Sequence, residues 1–220
     1  MFKFPEIWAI TSMVGGCPES FRKGGVQMRS SEILQEETQS IERMLNVLDR
    51  MCRRMERGEN IDPKHLRKTL NFFKIFVDQC HNSKEENLLF PRLVQAGMTE
   101  QECGLEIMTK ENALCRNIML KMDAAIKRYQ EGDPDASSEI ASLARDYLEL
   151  ETKRLELETT RVIPMAKKYL SDDIQLKIAD EFTLMEDLKF GVGKHGNFHK
   201  AMNQIIQNMC DIYVMDTMKN

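Results

Sequence analysis

The stretch FVDQCHNSKEENLLFPRL, residues 76 to 93, decides how the chain is read. Leu66, Leu70 and Phe73 lead into it at helical spacing, and Val77 and Leu88 continue the pattern within it, so these positions line the inner face of an amphipathic helix. His81 and Glu85 interrupt that face with polar groups. Residues i and i+4 lie on one side of a helix, so an imidazole and a carboxylate there converge on a common point. The pair has the spacing of metal ligands if other helices supply partners, and is an ordinary polar pair if they do not. Lys74 and Asp78 fall beside the stripe and are expected to face water, and the run KEEN reads as a solvated face. Pro91 is expected to kink the helix near its end.

Working outward, a helix is predicted from about Ser31 to Arg57, with Leu34, Ile41, Leu45 and Leu48 as its apolar stripe and Ser31 as its N-cap. Asp62-Pro63 starts the helix that carries His81. Thr99 and Glu102 suggest a capping box ahead of a third helix reaching about Tyr129. A fourth covers about Ala136 to Tyr169, and a fifth runs from a Ser171-Asp172 cap to about Phe190. After GVGKHG a last helix extends from about Asn197 to Met215. Four long helices with short connections predict an all-α fold, an up-down four-helix bundle with additional C-terminal helices. Helices two and four share a feature: Glu85 stands six residues before Pro91, and Glu158 six before Pro164. The domain reading is an N-terminal arm over 1–29 and a bundle over 30–216 that includes a C-terminal extension, 171–216.

Composition narrows the function classes. The chain has 220 residues, 30% charged and 42% hydrophobic, with a net charge of -4. That balance suits a folded helical globule and lacks the basic footprint of a nucleic-acid binder. No apolar run approaches a membrane span, so no membrane partner is expected. The six cysteines are scattered without a CxxC pair and read as reduced thiols of a cytoplasmic protein. The sixteen methionines read as adaptable core filler. Phe2, Phe4, Ile7, Trp8 and Ile10 make the arm too apolar to stand alone in water. It is expected to dock on the bundle or on a second copy of the chain. Deleting residues 1 to 28 should then lower the melting temperature or change the oligomeric state, and a deletion that does neither marks the arm as a passive tail.

Five segments carry a resemblance over roughly residues 31 to 200: LQEETQSIERML, FVDQCHNSKEENLLFPRL, MTKENALCR, YLELETKRLELETTRVIPMA and GVGKHGNFH. In order and spacing the chain resembles the hemerythrin-like HHE cation-binding family. The resemblance implies a bundle holding two iron ions. Its ligands are a His on helix one, a His-x-x-x-Glu pair on helix two, a His on helix three, and a second His-x-x-x-Glu pair on helix four. Carried onto this sequence, His81, Glu85 and Glu158 match. The other three positions depart: Thr38, Asn112 and Arg154 stand where the resemblance implies imidazoles.

Arginine offers a metal no lone pair, and Thr and Asn are weak ligands for iron. A hemerythrin-type di-iron centre is therefore not expected, and no cofactor is the first expectation. The alternative is non-haem iron or another divalent metal held by His81, Glu85, Glu158 and Glu151, responding to oxygen or nitric oxide. Glu151 lies three residues before Arg154 on the same side of helix four and looks like a gained carboxylate. Buried carboxylates need compensation, and the Arg154 guanidinium, with a protonated His81, is expected to supply it. Cys115 and Tyr147 are placed near the same pocket, as a packed or metal-proximal thiol and as a hydroxyl donor or packing ring. Cys80 is expected to pack. His195 and His199 have the spacing of a zinc pair, but Gly193 and Gly196 suggest a helix break, and the pair is read as structural. The functional expectation is a binding, sensing or regulatory protein with an unknown protein partner or small ligand, and no nucleophile–base set marks an enzyme.

Overall fold

A computed structural model describes residues 22 to 215, apart from 24, 100, 102, 103 and 192 to 194. The apolar arm residues singled out above, Phe2 to Ile10, lie outside the described residues. Six long helices follow one another. α1 spans Ser30–Glu56. α2, over 63–95, is wound in turn as α (Pro63–Phe72), π (Phe73–Asn82 and Glu85–Leu89) and α again (Phe90–Gln95). α3 spans Leu105–Gln130. α4, over 136–169, is α (Ala136–Leu157), π (Glu158–Val162), then α (Ile163–Tyr169). α5 spans Asp172–Phe190, and α6 comprises His195–Cys210 with a π-wound end, Asp211–Met215. The fold is the expected all-α bundle with added C-terminal helices. Among the described residues the only strands are a small hairpin, β1 (Arg22–Lys23) and β2 (Val26–Gln27), where the sequence suggested loop.

The two prolines explain the repeat of Glu six residues before Pro. A proline inside a helix lacks an N–H, and its ring crowds the carbonyl four residues back. Each is accommodated by a π-wound turn that begins at the glutamate, Glu85 before Pro91 and Glu158 before Pro164. Widened π turns recur at functional sites because they redirect side chains. Here both glutamates are fully buried.

Several helix starts differ from expectation. α1 begins one residue early with Arg29 as cap: Glu32 Oε2 accepts from the Arg29 backbone N–H at 2.8 Å, and Oε1 takes the guanidinium at 2.8 Å. Ser31 does not cap; its hydroxyl donates to Gln175 Oε1 at 2.6 Å and ties α1 to α5. α3 starts after Gly104, whose φ of 70° suits a residue without Cβ. Glu102 of the expected capping box lies outside the described residues. Asp62 caps α2 as read, accepting from the Lys64 N–H at 2.8 Å. α6 starts at His195 and contains Gly196, so Gly196 does not break it.

α4 packs along both α1 and α3, and α2 packs on α3. The groove between α1 and α2 is covered by α5 and α6. The apolar core is divided in two. One half holds Ile41 to Met55 of α1, Leu66 to Val77 of α2, Cys115 to Ile126 of α3 and Ile140 to Tyr147 of α4. The other gathers Ile33 and Leu34, Leu88 to Leu93, Met108, Val162 to Ala166 and Phe182. Met44, Met51, Met108, Met119 and Met122 are buried in these halves, as core filler should be. Between the halves lies a layer of buried polar and charged side chains.

Candidate metal centre

The polar layer is built by one to three residues from each bundle helix. Glu37 and Thr38 come from α1, His81, Lys84 and Glu85 from α2, Asn112 from α3, and Glu151, Arg154 and Glu158 from α4; all are buried. Taking charges out of water costs several kcal/mol per ion, so the pairing decides whether the layer holds.

His81 is hydrogen-bonded at both ring nitrogens. Nδ1 lies 3.0 Å from Glu37 Oε2 and Nε2 lies 3.2 Å from Glu158 Oε2. Glu85, its partner at i+4, is farther at 3.8 Å. Arg154 donates from Nη1 to Glu85 Oε2 at 2.9 Å and from Nη2 and Nε to Glu151 Oε1 at 2.7 and 3.2 Å. Its Nη1 is 3.9 Å from Glu158 Oε2. The guanidinium thus lies among the carboxylates of Glu85, Glu151 and Glu158. The Thr38 hydroxyl lies 2.8 Å from the Leu34 carbonyl and 3.0 Å from Glu158 Oε1. Among the described residues, Glu85 Oε1 and the Tyr147 hydroxyl find no hydrogen-bond partner.

Two sequence-read residues do not join the carboxylate group. The Asn112 amide donates to Glu86 Oε1 at 2.7 Å and accepts from Asn82 at 3.2 Å. Tyr147 packs its ring on Phe73, centroids 4.8 Å apart. The Cys115 thiol reaches toward Glu151 Oε2 at 3.7 Å.

Sequence reading missed a second group. Lys84, placed on a solvated charge run, is fully buried, its ammonium held between Glu37 Oε1 and Glu186 Oε1. Cys80 packs as expected, with its thiol 2.9 Å from Glu186 Oε1. His199 Nε2 is 3.1 Å from both Glu186 oxygens. Burial and the Lys84 ammonium push the His199 pKa down to about 4, so the ring meets Glu186 as a neutral donor. The expected partner of His199, His195, has no described side chain. A signal for Lys84 was present: Cys80, Lys84 and Leu88 form their own i, i+4 stripe beside Phe73, Val77, His81 and Glu85. Both stripes are buried because α5 and α6 cover the second.

Among the described residues, two groups of side chains bring donor atoms close enough to hold a cation: His81, Glu85 and Glu158, and Glu37, Cys80, Glu186 and His199. The expectation of no cofactor therefore finds no support. The family model for the hemerythrin HHE cation-binding domain matches residues 29–166. The chain belongs to the hemerythrin HHE cation-binding family. Its family region ends within α4, so α5 and α6 lie beyond the match. No curated protein and no solved structure matches the chain. Among the described residues no helix is long and apolar enough to cross a membrane.

Electrostatics of the layer give a pH prediction. Burial alone would lower the His81 pKa, but Glu158 and Glu37 hold it up at about 10. Burial, with Glu158 beside it, pushes the Glu85 carboxyl up to about 8. Both folded values lie above the ordinary values of 6.5 and 4.5. Such groups stabilise fully below the unfolded pKa and lose that contribution as pH rises through the folded one. The urea midpoint is expected to fall between pH 6.5 and 10, and His81→Gln to flatten the fall. A wild-type midpoint constant across that range would contradict the arrangement.

The thiols give another. Burial pushes both Cys80 and Cys115 up to about 12, away from the reactive thiolate. Both are expected to resist alkylation in the native protein and to react on unfolding. Rapid native labelling of Cys115 would instead mark an open, redox-responsive pocket.

Proposed function

We propose that this protein is a hemerythrin-like binding and regulatory module in which an internal guanidinium takes the place of the family's di-iron centre. The observation that carries the reading is the position of Arg154, 2.9 Å from Glu85 and 2.7 Å from Glu151. A permanently charged fork with five donors satisfies carboxylates and cannot ligate a metal. Of the six ligand positions the resemblance implies, only His81, Glu85 and Glu158 keep a donor suited to iron. Thr38 and Asn112 offer neutral oxygens, and Asn112 is engaged with Glu86 and Asn82. The donor set therefore does not fit a two-iron centre, and the layer serves to hold the bundle in one arrangement for a protein partner or small ligand in the cytoplasm.

A second reading keeps one ion at His81, Glu85 and Glu158, with a response to oxygen or nitric oxide. It is favoured by the closeness of those three donors and by Glu85 Oε1, which has no hydrogen-bond partner among the described residues. Elemental analysis of the purified protein separates the two. Iron bound at His81, Glu85 and Glu158, and lost in Glu158→Gln, favours the second reading; iron near two per chain overturns the first outright.

A further inference from the structure

The second buried group does not belong to the family's centre. Glu186 on α5 and His199 on α6 lie beyond residues 29–166, the span of the family match. Together with Glu37 of α1 and Cys80 of α2, they place four donors of three types at one point in the groove that the C-terminal helices close. We propose that Glu37, Cys80, Glu186 and His199 form a binding site for a single thiophilic divalent cation of the zinc type.

The geometry supports this in three respects. First, a tetrahedral zinc site with bonds of about 2.0 to 2.3 Å sets its ligand atoms roughly 3.3 to 3.8 Å apart. Here the Cys80 thiol is 2.9 Å and His199 Nε2 3.1 Å from Glu186, and His199 Nε2 is 4.0 Å from Glu37. All four donor atoms lie within 4.8 Å of one another, so closing onto an ion needs only small side-chain shifts. Second, the donor set is thiolate, imidazole and carboxylate, the combination that suits zinc rather than magnesium or calcium. Third, the site has an entrance. A cleft of about 360 Å³ lined by Glu36, Glu37, Ser40, Phe76 and His199 opens onto it.

The Lys84 ammonium already lies at this point, against Glu37 and Glu186. A lysine ammonium is a point charge on a flexible stem and can yield to an ion, whereas the Arg154 fork is pinned by several carboxylate oxygens. Coordination exchanges the Cys80 thiol proton for the ion, as metal binding does at thiols generally. Thiolate and two carboxylates then bring three negative charges, balanced by two from the ion and one from Lys84. Because the four ligands come from α1, α2, α5 and α6, the ion would staple the C-terminal helices to the bundle. Glu37 also holds His81 Nδ1 at 3.0 Å, so it would act as the outer partner of the central histidine at the same time.

The test is a Co²⁺ titration of the metal-free full-length protein. One equivalent of Co²⁺ is expected to give a thiolate-to-cobalt charge-transfer band that Zn²⁺ abolishes. Cys80→Ser is expected to lose the band. His199→Ala, altering a partly exposed side chain with little risk to folding, should weaken Co²⁺ binding by more than about tenfold, since even outer-shell losses cost that much. Glu158→Gln, in the central layer, should retain the band. Absence of the band from the wild type, its survival in Cys80→Ser, unweakened binding in His199→Ala, or its loss in Glu158→Gln would each overturn the proposal.

Discussion

Arg154→Ala is expected to destabilise the protein by about 3 kcal/mol or more, the scale for removing one partner of a buried ion pair. Its guanidinium is fully buried and donates three hydrogen bonds to Glu85 and Glu151. Deleting it removes the cation that both carboxylates share, leaves Glu85 with His81 alone at 3.8 Å, and opens a cavity beside them. An exposed arginine supplies the control. Arg53 pairs with Asp49 at 2.8 Å on the surface, and Arg53→Ala should cost roughly 1 kcal/mol at most. Arg154→Lys should rescue only in part, because a point charge cannot reach Glu85 and Glu151 with separate donors. Adding Glu85→Gln to Arg154→Ala should recover stability, since the two side chains are directly coupled. Denaturant midpoints for these variants check all four statements. If Arg154→Ala costs no more than Arg53→Ala, the guanidinium does not hold the layer together.

The fold was legible because the periodicity is strong and the turn chemistry local. Asp62-Pro63 and Ser171 cap the helices they were read to cap. The inner stripe from Leu66 to Leu88 is buried throughout. Glu85 was legible as inward-facing because it continues an apolar stripe, Arg154 and Glu158 because the family resemblance places them there, and Glu151 because it shares the Arg154 side of the helix; the structure brings all four together with His81. What sequence could not supply was the second layer of packing. Lys84 and Glu37 look solvent-bound if α2 and α1 have one buried face each. They become interior once α5 and α6 cover the groove; the stripe Cys80, Lys84 and Leu88 is the one local trace of that cover, and the run KEEN alone reads as solvated. His199 was weighed only against His195, its neighbour in sequence, whereas its partner Glu186 sits on the preceding helix. The π-wound turns were likewise hidden: the prolines suggested kinks, and the widening of the backbone ahead of them has no signal of its own in the sequence.

Replacing Thr38, Asn112 and Arg154 together by histidine should convert the protein into an iron binder. Thr38→His, Asn112→His and Arg154→His restore the imidazoles that the family resemblance implies around His81, Glu85 and Glu158. Thr38 already stands 3.0 Å from Glu158, so an imidazole there starts within reach of the same point. Asn112 is turned toward Glu86 and Asn82, and its replacement has to give up those bonds to point inward. Arg154→His removes the competing cation as well as adding a ligand. The metal-free triple variant should therefore be less stable than the parent, because the carboxylates lose their counter-charge. Iron should reverse this, since an ion bound only by the folded state adds its binding free energy to stability. The expected result is uptake of about two iron ions per chain, as in di-iron carboxylate bundles, with ferric absorption and a raised melting temperature absent from the parent. Each single substitution should fall short, because three or four ligands cannot hold both ions. If the parent binds iron with the same stoichiometry as the triple variant, Arg154 does not stand in for the metal and the reading of the central layer fails. If the triple variant folds and takes up none, the positions assigned to the missing imidazoles are wrong.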